Sequence, residues 1–381
     1  MQLLLNNLEN YCRKWHLIVN SQKTKVMIFN KKKNDNIKFM LEKEQLEIVD
    51  TYKYLGHVLC TSRNIHTQMH QTLAVQGQRS LHLLYNNIKS TVGYLSPTLA
   101  IKMFDSHVLP ILEYNSEIWF SIKKVNEIEK IQLKFLKNIL GVRNQTSTIG
   151  LLADTGRFPM LTRQHISVIK YLDRMNNFQC PKLVRQCFEI QKQLHQSKST
   201  CWYSRLVSML CNYDIDITQN LDLKFISSKI YDKSQAYLFQ EINDSDKQPK
   251  LRTYRNIKKD MRIEPYLNLG LPKSVYCYIA RFRLSSHNLS IELGRHKRPF
   301  VPAEERLCDK CTLNVVGDEL HCLMICPRWV DIRRLLIKTA CNEIPNFLIL
   351  SVESQFQEIL CHKTIEMNHA LGQFLYTALK I

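Results

Sequence analysis

Apolar residues make up 45% of this 381-residue chain, yet no run approaches the 18 or more that a spanning helix requires. No lipidation signal is present, and a membrane partner is not expected. The opening Met-Gln-Leu-Leu-Leu-Asn-Asn has neither a basic start nor a sustained apolar stretch, so no signal peptide is read. The thiols are therefore expected in a reducing compartment, cytoplasm or nucleus, without disulfides. Signatures of small-molecule catalysis are missing as well. There is no Gly-Lys-Ser/Thr phosphate loop, no Gly-x-Ser-x-Gly elbow and no His-Glu-x-x-His helix, which leaves hydrolase readings without support and no small-molecule substrate expected. Acidic residues are also in short supply, 34 against 53 Lys and Arg, for a net +19 and a pI near 9.4. Such an excess points to a polyanionic partner, RNA or DNA foremost.

One constellation carries a definite chemistry. Cys308, Cys311, His321 and Cys326 stand at the spacing C-x2-C-x9-H-x4-C, a closed set of soft thiolates and one imidazole suited to structural Zn²⁺. The intervening Thr312 to Leu320 carries Asn314, Gly317 and Asp318, which suit a turn or short hairpin returning the chain to His321. Cys322 stands beside them as an alternative ligand in place of His321 or Cys326. Other thiols, such as Cys12, Cys60 and Cys277, lie in apolar neighbourhoods and read as small core residues.

Periodicity gives an α+β fold, predominantly α-helical. Leu4, Leu5, Leu8, Tyr11, Cys12 and Trp15 recur at helical spacing, a stripe that must bury against something and that hints at a start inside a larger unit. From Lys25 to Leu59 the period shifts towards two, predicting a small antiparallel sheet with a lysine-rich turn over 30–36. Helices follow from Thr67, broken at Ser96-Pro97, Pro110 and Gly141, with a basic face over 124–143. Residues 176–247 have weak periodicity and read as helices joined by polar linkers. There is no internal repeat. Over 250–300, twelve cations face three acids, a net +9, interleaved with Tyr254, Tyr266, Tyr276, Tyr278, Phe282 and Phe300. Cations with aromatics between them suit single-stranded nucleic acid, through phosphate neutralisation and base stacking; the same pattern also fits core aromatics with solvated arginines.

Several stretches resemble reverse transcriptases of non-LTR retrotransposons. Asn10-Tyr-Cys-Arg-Lys-Trp15 and Leu17 to Phe29, with Val19-Asn20 and Lys23-Thr24-Lys25, are similar to the end of that family's palm, and Tyr52-Lys-Tyr-Leu-Gly56 to its primer-grip hairpin. Phe104 to Trp119 is similar to the thumb helices. Ala280 to His296 and Glu304 through Pro327 resemble the segment that precedes and forms the C-terminal knuckle. The likeness is weakest over 176–250, and His16 departs from it, standing where the family usually has Gly.

The resemblance implies a residual palm with primer grip over 1–62, a helical thumb over 63–175, a connector over 176–300, a zinc knuckle over 301–335 and closing helices over 336–381. Nucleic-acid contacts are expected at Lys23, Lys25, Tyr54, Leu55, Gly56, Arg281, Arg283, Arg295, Lys297 and Arg298, and along the basic face over 124–143. The parent reaction needs carboxylates that hold two Mg²⁺ ions about 3.5 to 4 Å apart. The family draws these from an aromatic-Ala-Asp-Asp motif and an earlier Asp, expected before residue 1, so catalytic residues are expected to be none. The close acid pairs that do occur, Asp214-Ile-Asp216 and Asp244-Ser-Asp246, lie in polar linkers and read as solvated. The implied protein is the C-terminal piece of an RNA-directed DNA polymerase, inactive alone and needing Mg²⁺ only in the intact parent. A host-used, zinc-dependent nucleic-acid-binding or scaffold protein derived from such an element is the alternative, and a poorly folding relic a third.

Overall fold

The computed structural model describes residues 1–29, 37–61, 65–91, 95–123, 126–176, 180–216 and 222–380, and the lysine-rich turn over 30–36 lies outside them. The fold is α+β and mostly helical, with small sheets confined to the N-terminal part.

The first helix, Gln2–Lys14, buries only Cys12. Leu3, Leu4, Tyr11 and Trp15 remain exposed, so most of the expected apolar stripe faces outward. The helix is held by its first side chain: Gln2 Nε2 donates to Met40 O at 2.8 Å and Gln2 Oε1 accepts from Met40 N at 3.0 Å. Leu5 also joins a small core of Val26, Leu41 and Leu46. At its end His16 has φ 53°, in the left-handed region. Glycine occupies that region without steric penalty, so His16 is the costlier choice there.

The strands form three separate pairs rather than one sheet. Met40–Leu41 with Glu44–Gln45 and Thr51–Tyr54 with His57–Cys60 are antiparallel hairpins. Lys25–Val26 instead runs parallel to Glu47–Ile48, because the chain doubles back through the tight turn at Glu42 before returning past Val26. The tip of the third pair is Leu55-Gly56, with φ 47° and 80°. Tyr114 Oη donates to Leu55 O at 2.7 Å, and a Cβ on Gly56 would lie 2.9 Å from the Tyr114 ring. Glycine is thus required there on two counts, backbone angle and space.

The helical body begins with Ile65–Thr91. Ser96 caps the next helix, Pro97–His107, accepting from Leu99 N with Pro97 in the first turn, as the sequence pattern predicts. Phe104 stacks on Phe135 of helix Asn126–Leu140 with ring centroids 4.2 Å apart. One continuous core then draws on Met69 to Met160, Leu238 to Leu284 and Cys322 to Leu379. Within it, helix Lys273–Arg283 packs along the last helix, Ile365–Lys380. The weakly periodic stretch proves helical, as Lys182–Gln196, Trp202–Cys211 and Leu223–Asn243, and packs on helix Met160–Asn176 around its own core of Phe120, Leu172, Phe188, Met209 and Ile230.

Candidate metal centre

The knuckle is assembled by a hairpin followed by one tight helical turn. Leu307 pairs with Val316, Cys308 N donates to Val315 O at 2.8 Å, and Gly317 N donates to Arg306 O at 3.0 Å. Asn314 turns the hairpin at φ 52°. Lys310 N donates to Cys308 Sγ at 3.4 Å, so backbone already solvates that sulfur. A Cβ on Gly317 would sit 2.9 Å from Cys308 Cα and 3.0 Å from Ser290 Cβ, so only glycine lets the hairpin pass this close.

Asp318 Oδ1 then accepts from His321 N at 2.8 Å and starts the turn His321–Ile325, which closes with Cys326 N donating to His321 O at 2.7 Å. Arg333, from helix Val330–Glu343, clamps this turn from below. Its Nε donates to Leu323 O at 2.7 Å, and Nη2 donates to Cys326 O at 2.7 Å and Cys322 O at 3.3 Å.

This backbone brings the four named side chains together. Their ligand atoms all lie within 4.8 Å of one another, with Cys308 Sγ 4.0 Å from Cys326 Sγ and Cys311 Sγ 3.4 Å from His321 Nε2. A tetrahedral ion with bonds of about 2.3 Å to sulfur and about 2.0 Å to nitrogen spaces its ligands roughly 3.5 to 3.8 Å apart. The residues fit such an ion. Beside them is a void of about 20 Å³, lined by Cys308, His321, Cys326 and Trp329 among others.

The imidazole points the same way. Burial lowers the His321 pKa and favours the neutral ring that binds metals, and its buried Nδ1 has no hydrogen-bond partner. Burial pushes the Cys326 thiol up to about 12 and raises Cys308 as well. A bound divalent cation reverses that preference, since thiols ligate as thiolates. Cys322 is not part of the cluster; it is buried in the core beneath, and its thiol is pushed up chiefly by that burial. The alternative ligand is thereby set aside. A Cys3His cluster that could hold an ion such as zinc is what the fold builds.

A polar network fastens the knuckle to the body, and sequence reasoning did not find it. Glu319, fully buried, accepts from Arg252 Nε at 3.0 Å, Arg252 Nη2 at 2.5 Å, Thr253 Oγ1 at 3.2 Å and Ser285 Oγ at 2.9 Å, and pairs with His287 Nε2 at 2.8 Å. Burial alone would raise its pKa, but the Arg252 guanidinium and then His287 hold it well below the usual carboxylate range. Arg252 also reaches Glu292 at 2.6 Å. Its charge is structural rather than spare, and the only sequence signal was an acid placed two residues before a metal-ligating histidine.

The proposed nucleic-acid contacts fare unevenly. Lys23, Tyr54, Leu55, Lys297 and Arg298 are exposed, the last two beside one another before Pro299. Lys25 pairs with Glu47 at 2.6 Å, and Arg295 with Glu292 at 3.0 Å. Arg281 is half-buried, its Nε donating to Gly141 O at 2.7 Å. Arg283 must be corrected: it is fully buried, 3.2 Å from Asp154 Oδ1 and 2.6 Å from Glu264 Oε2, and its Nη1 donates to Leu360 O at 2.8 Å. No phosphate reaches it. Tyr254, Tyr266, Tyr276 and Phe282 are likewise core residues, which removes most of the expected stacking surface over 250–300. The acid pairs are solvated as read. Asp214 pairs with Lys233 at the surface, and Asp244 accepts from the backbone of Asp246 and Lys247.

Comparison with known proteins adds one relative. Over 178 residues the chain is 27% identical to a protein of Caenorhabditis elegans described as an uncharacterized transposon-derived protein, an overlap covering 46% of this chain. That overlap spans 59% of the relative's own length. No protein-family model matches the chain, and no solved structure is similar to it. The relative and the Cys3His cluster together are consistent with a transposon origin and a metal-binding module. Among the described residues, no helix is long and apolar enough to cross a membrane.

Proposed function

We propose that this chain is the C-terminal part of a retrotransposon-type RNA-directed DNA polymerase, contributing nucleic-acid binding rather than catalysis. In this reading 1–62 is the end of a palm with its primer grip, 63–175 a thumb, 176–300 a connector, 301–335 a zinc knuckle and 336–381 closing helices. The observation that carries the reading is the convergence of Cys308, Cys311, His321 and Cys326 on one point, in a chain similar to a transposon-derived protein. The hairpin that exposes Tyr54 and Leu55 and turns at Gly56 supports it from the other end.

Zinc supplies structural order when bound, holding a segment too small to fold unaided. The chain's own residues hold neighbouring cations and backbone in place. Polymerisation would require carboxylates beyond these residues, since the close acids here are surface caps and ion-pair partners.

The test is twofold. The zinc-loaded protein should bind RNA or DNA oligonucleotides with an affinity that falls steeply with salt, and should extend no primer unless the coding region upstream is restored. Failure to bind either nucleic acid at about 0.1 M salt overturns the binding role. Primer extension by this chain alone, lost on mutating one of its own aspartates, overturns the assignment of catalysis elsewhere.

A further inference from the structure

Two clefts and the void beside the metal centre adjoin one another through shared lining residues. The first, of about 510 Å³, lies along helix Asn126–Leu140 and is lined by Tyr85, Lys130, Lys134 and Lys137. The second, of about 240 Å³, is lined by Arg143, Tyr278, Arg281 and Asn288, and the two share Val142. Asn288 and Leu379 in turn line both the second cleft and the void beside the Cys3His cluster. The result is a furrow leading from the 126–140 helix to the metal centre.

Over its first two clefts the charge is one-sided, whereas Asp309 and Asp318 line the void beside the metal centre. No carboxylate lines either of the first two clefts. Among the described residues, Lys130, Lys134, Lys137, Arg143 and Arg281 form no ion pair, whereas Arg157, Arg163, Arg252, Arg283 and Arg295 are all matched to carboxylates. The furrow cations are held by neutral acceptors instead. Lys134 Nζ donates to Gln78 Oε1 at 3.2 Å, Lys137 Nζ to Asn144 O at 2.6 Å, Arg281 Nε to Gly141 O at 2.7 Å, and Arg143 Nη2 to Asn288 Oδ1. These contacts orient the cations without neutralising them. Lys130, Lys134 and Lys137 follow at i, i+4 and i+7, one helix face with steps of about 6 and 4.5 Å. Each of the first two clefts also carries one partly exposed tyrosine, Tyr85 and Tyr278, and the buried Tyr85 hydroxyl has no partner among the described residues. Oriented cations match the phosphates of a single strand, and the Tyr278 ring, already carrying Arg281 4.9 Å from its centroid, holds that guanidinium in place beside them.

We infer that this furrow binds single-stranded nucleic acid along Lys130, Lys134, Lys137, Arg143 and Arg281 and delivers it to the Cys3His knuckle. The inference rests on the nucleic-acid reading above and assigns its binding path. The test uses the zinc-loaded chain and labelled 20-nucleotide oligouridylate and oligothymidylate, followed by fluorescence anisotropy between about 0.05 and 0.3 M salt. On single strands each phosphate contact contributes about 0.7 to the salt slope, so Lys130→Gln/Lys134→Gln/Arg143→Gln should weaken binding roughly 100-fold at about 0.1 M salt and flatten the slope by about 2. The single Lys134→Gln should cost about fivefold, and the charge-conserving Lys130→Arg/Lys134→Arg/Arg143→Lys should restore binding.

Wild-type binding with an unchanged triple variant, lost instead in Lys297→Gln/Arg298→Gln, overturns the furrow and leaves the nucleic-acid reading standing. Wild-type failure with both oligonucleotides overturns that reading itself. Competition by polyglutamate as effective as by oligouridylate overturns the furrow as a nucleic-acid path and makes it an acidic-peptide surface.

Discussion

Arg283→Met tests the clearest departure from expectation. The guanidinium is wholly buried and lies against two carboxylates, with the Tyr254 and Tyr266 rings 5.7 and 5.5 Å away. Methionine fills much of the same volume but removes the charge. Glu264 keeps Lys258 at 2.6 Å, so its charge remains matched. Asp154, with no exposure, keeps the Tyr266 hydroxyl, a neutral donor, and the nearby Tyr254 hydroxyl is neutral as well. Removing one partner of a buried pair costs about 3 to 5 kcal/mol, most of it the penalty of the stranded charge. With one carboxylate stranded, about 4 kcal/mol is expected, a large share of the roughly 5 to 15 kcal/mol that stabilises a domain. Urea unfolding followed by circular dichroism reads it as a lower midpoint at constant slope. Arg283→Met/Asp154→Asn should recover a substantial part, because the stranded charge is then gone. A loss below about 1 kcal/mol for the single variant would refute the buried-pair account and return Arg283 to the surface.

Acid should weaken the second core through His165. Its Nδ1 accepts from Tyr213 Oη at 2.7 Å, its Nε2 donates to Ser121 O at 2.8 Å, and burial lowers its pKa to about 4. The unfolded chain binds a proton near pH 6.5, so this stability is complete above that value and falls with acid towards pH 4. Between pH 6.5 and 5 the loss from His165 is on the order of 1 to 2 kcal/mol; urea midpoints across that range should fall less in His165→Gln than in wild type by that amount, the remaining fall coming from His70, whose pKa burial likewise lowers to about 4. Cys322→Ser should retain one zinc per chain by metal analysis, while Cys311→Ser should lose it and increase hydrogen exchange over 305–330. Gly317→Val should lower both the melting temperature and zinc affinity, because its side chain meets the Cys308 backbone; an unchanged melt would refute the close approach. Leu4→Gln/Leu8→Gln should reduce light scattering without shifting the urea midpoint, since both residues are already exposed.

The knuckle was legible because its four ligands fall within one short stretch, where spacing alone restricts which atoms can meet. Ser96-Pro97 and Gly141 marked helix ends for the same local reason. What stayed hidden was depth. A count of cations over 250–300 treats Arg252, Arg283 and Arg298 alike, yet the first is half-buried and braces Glu319, the second lies in the core, and the third is exposed. Their partners sit far away in sequence, Asp154 being 129 positions from Arg283, and no local pattern reports such a pairing. The choice between Cys322 and Cys326 was likewise undecidable from spacing. It depends on the turn His321–Ile325, which directs Cys322 inward and returns Cys326 to the cluster.

The bond from Tyr114 to the Leu55 carbonyl lashes the tip of the hairpin to the helical hull like an outrigger, while Val58 packs on the main core. Whatever swings that hull carries the tip with it, and Tyr114→Phe would cut the lashing while leaving the ring to pack against Gly56.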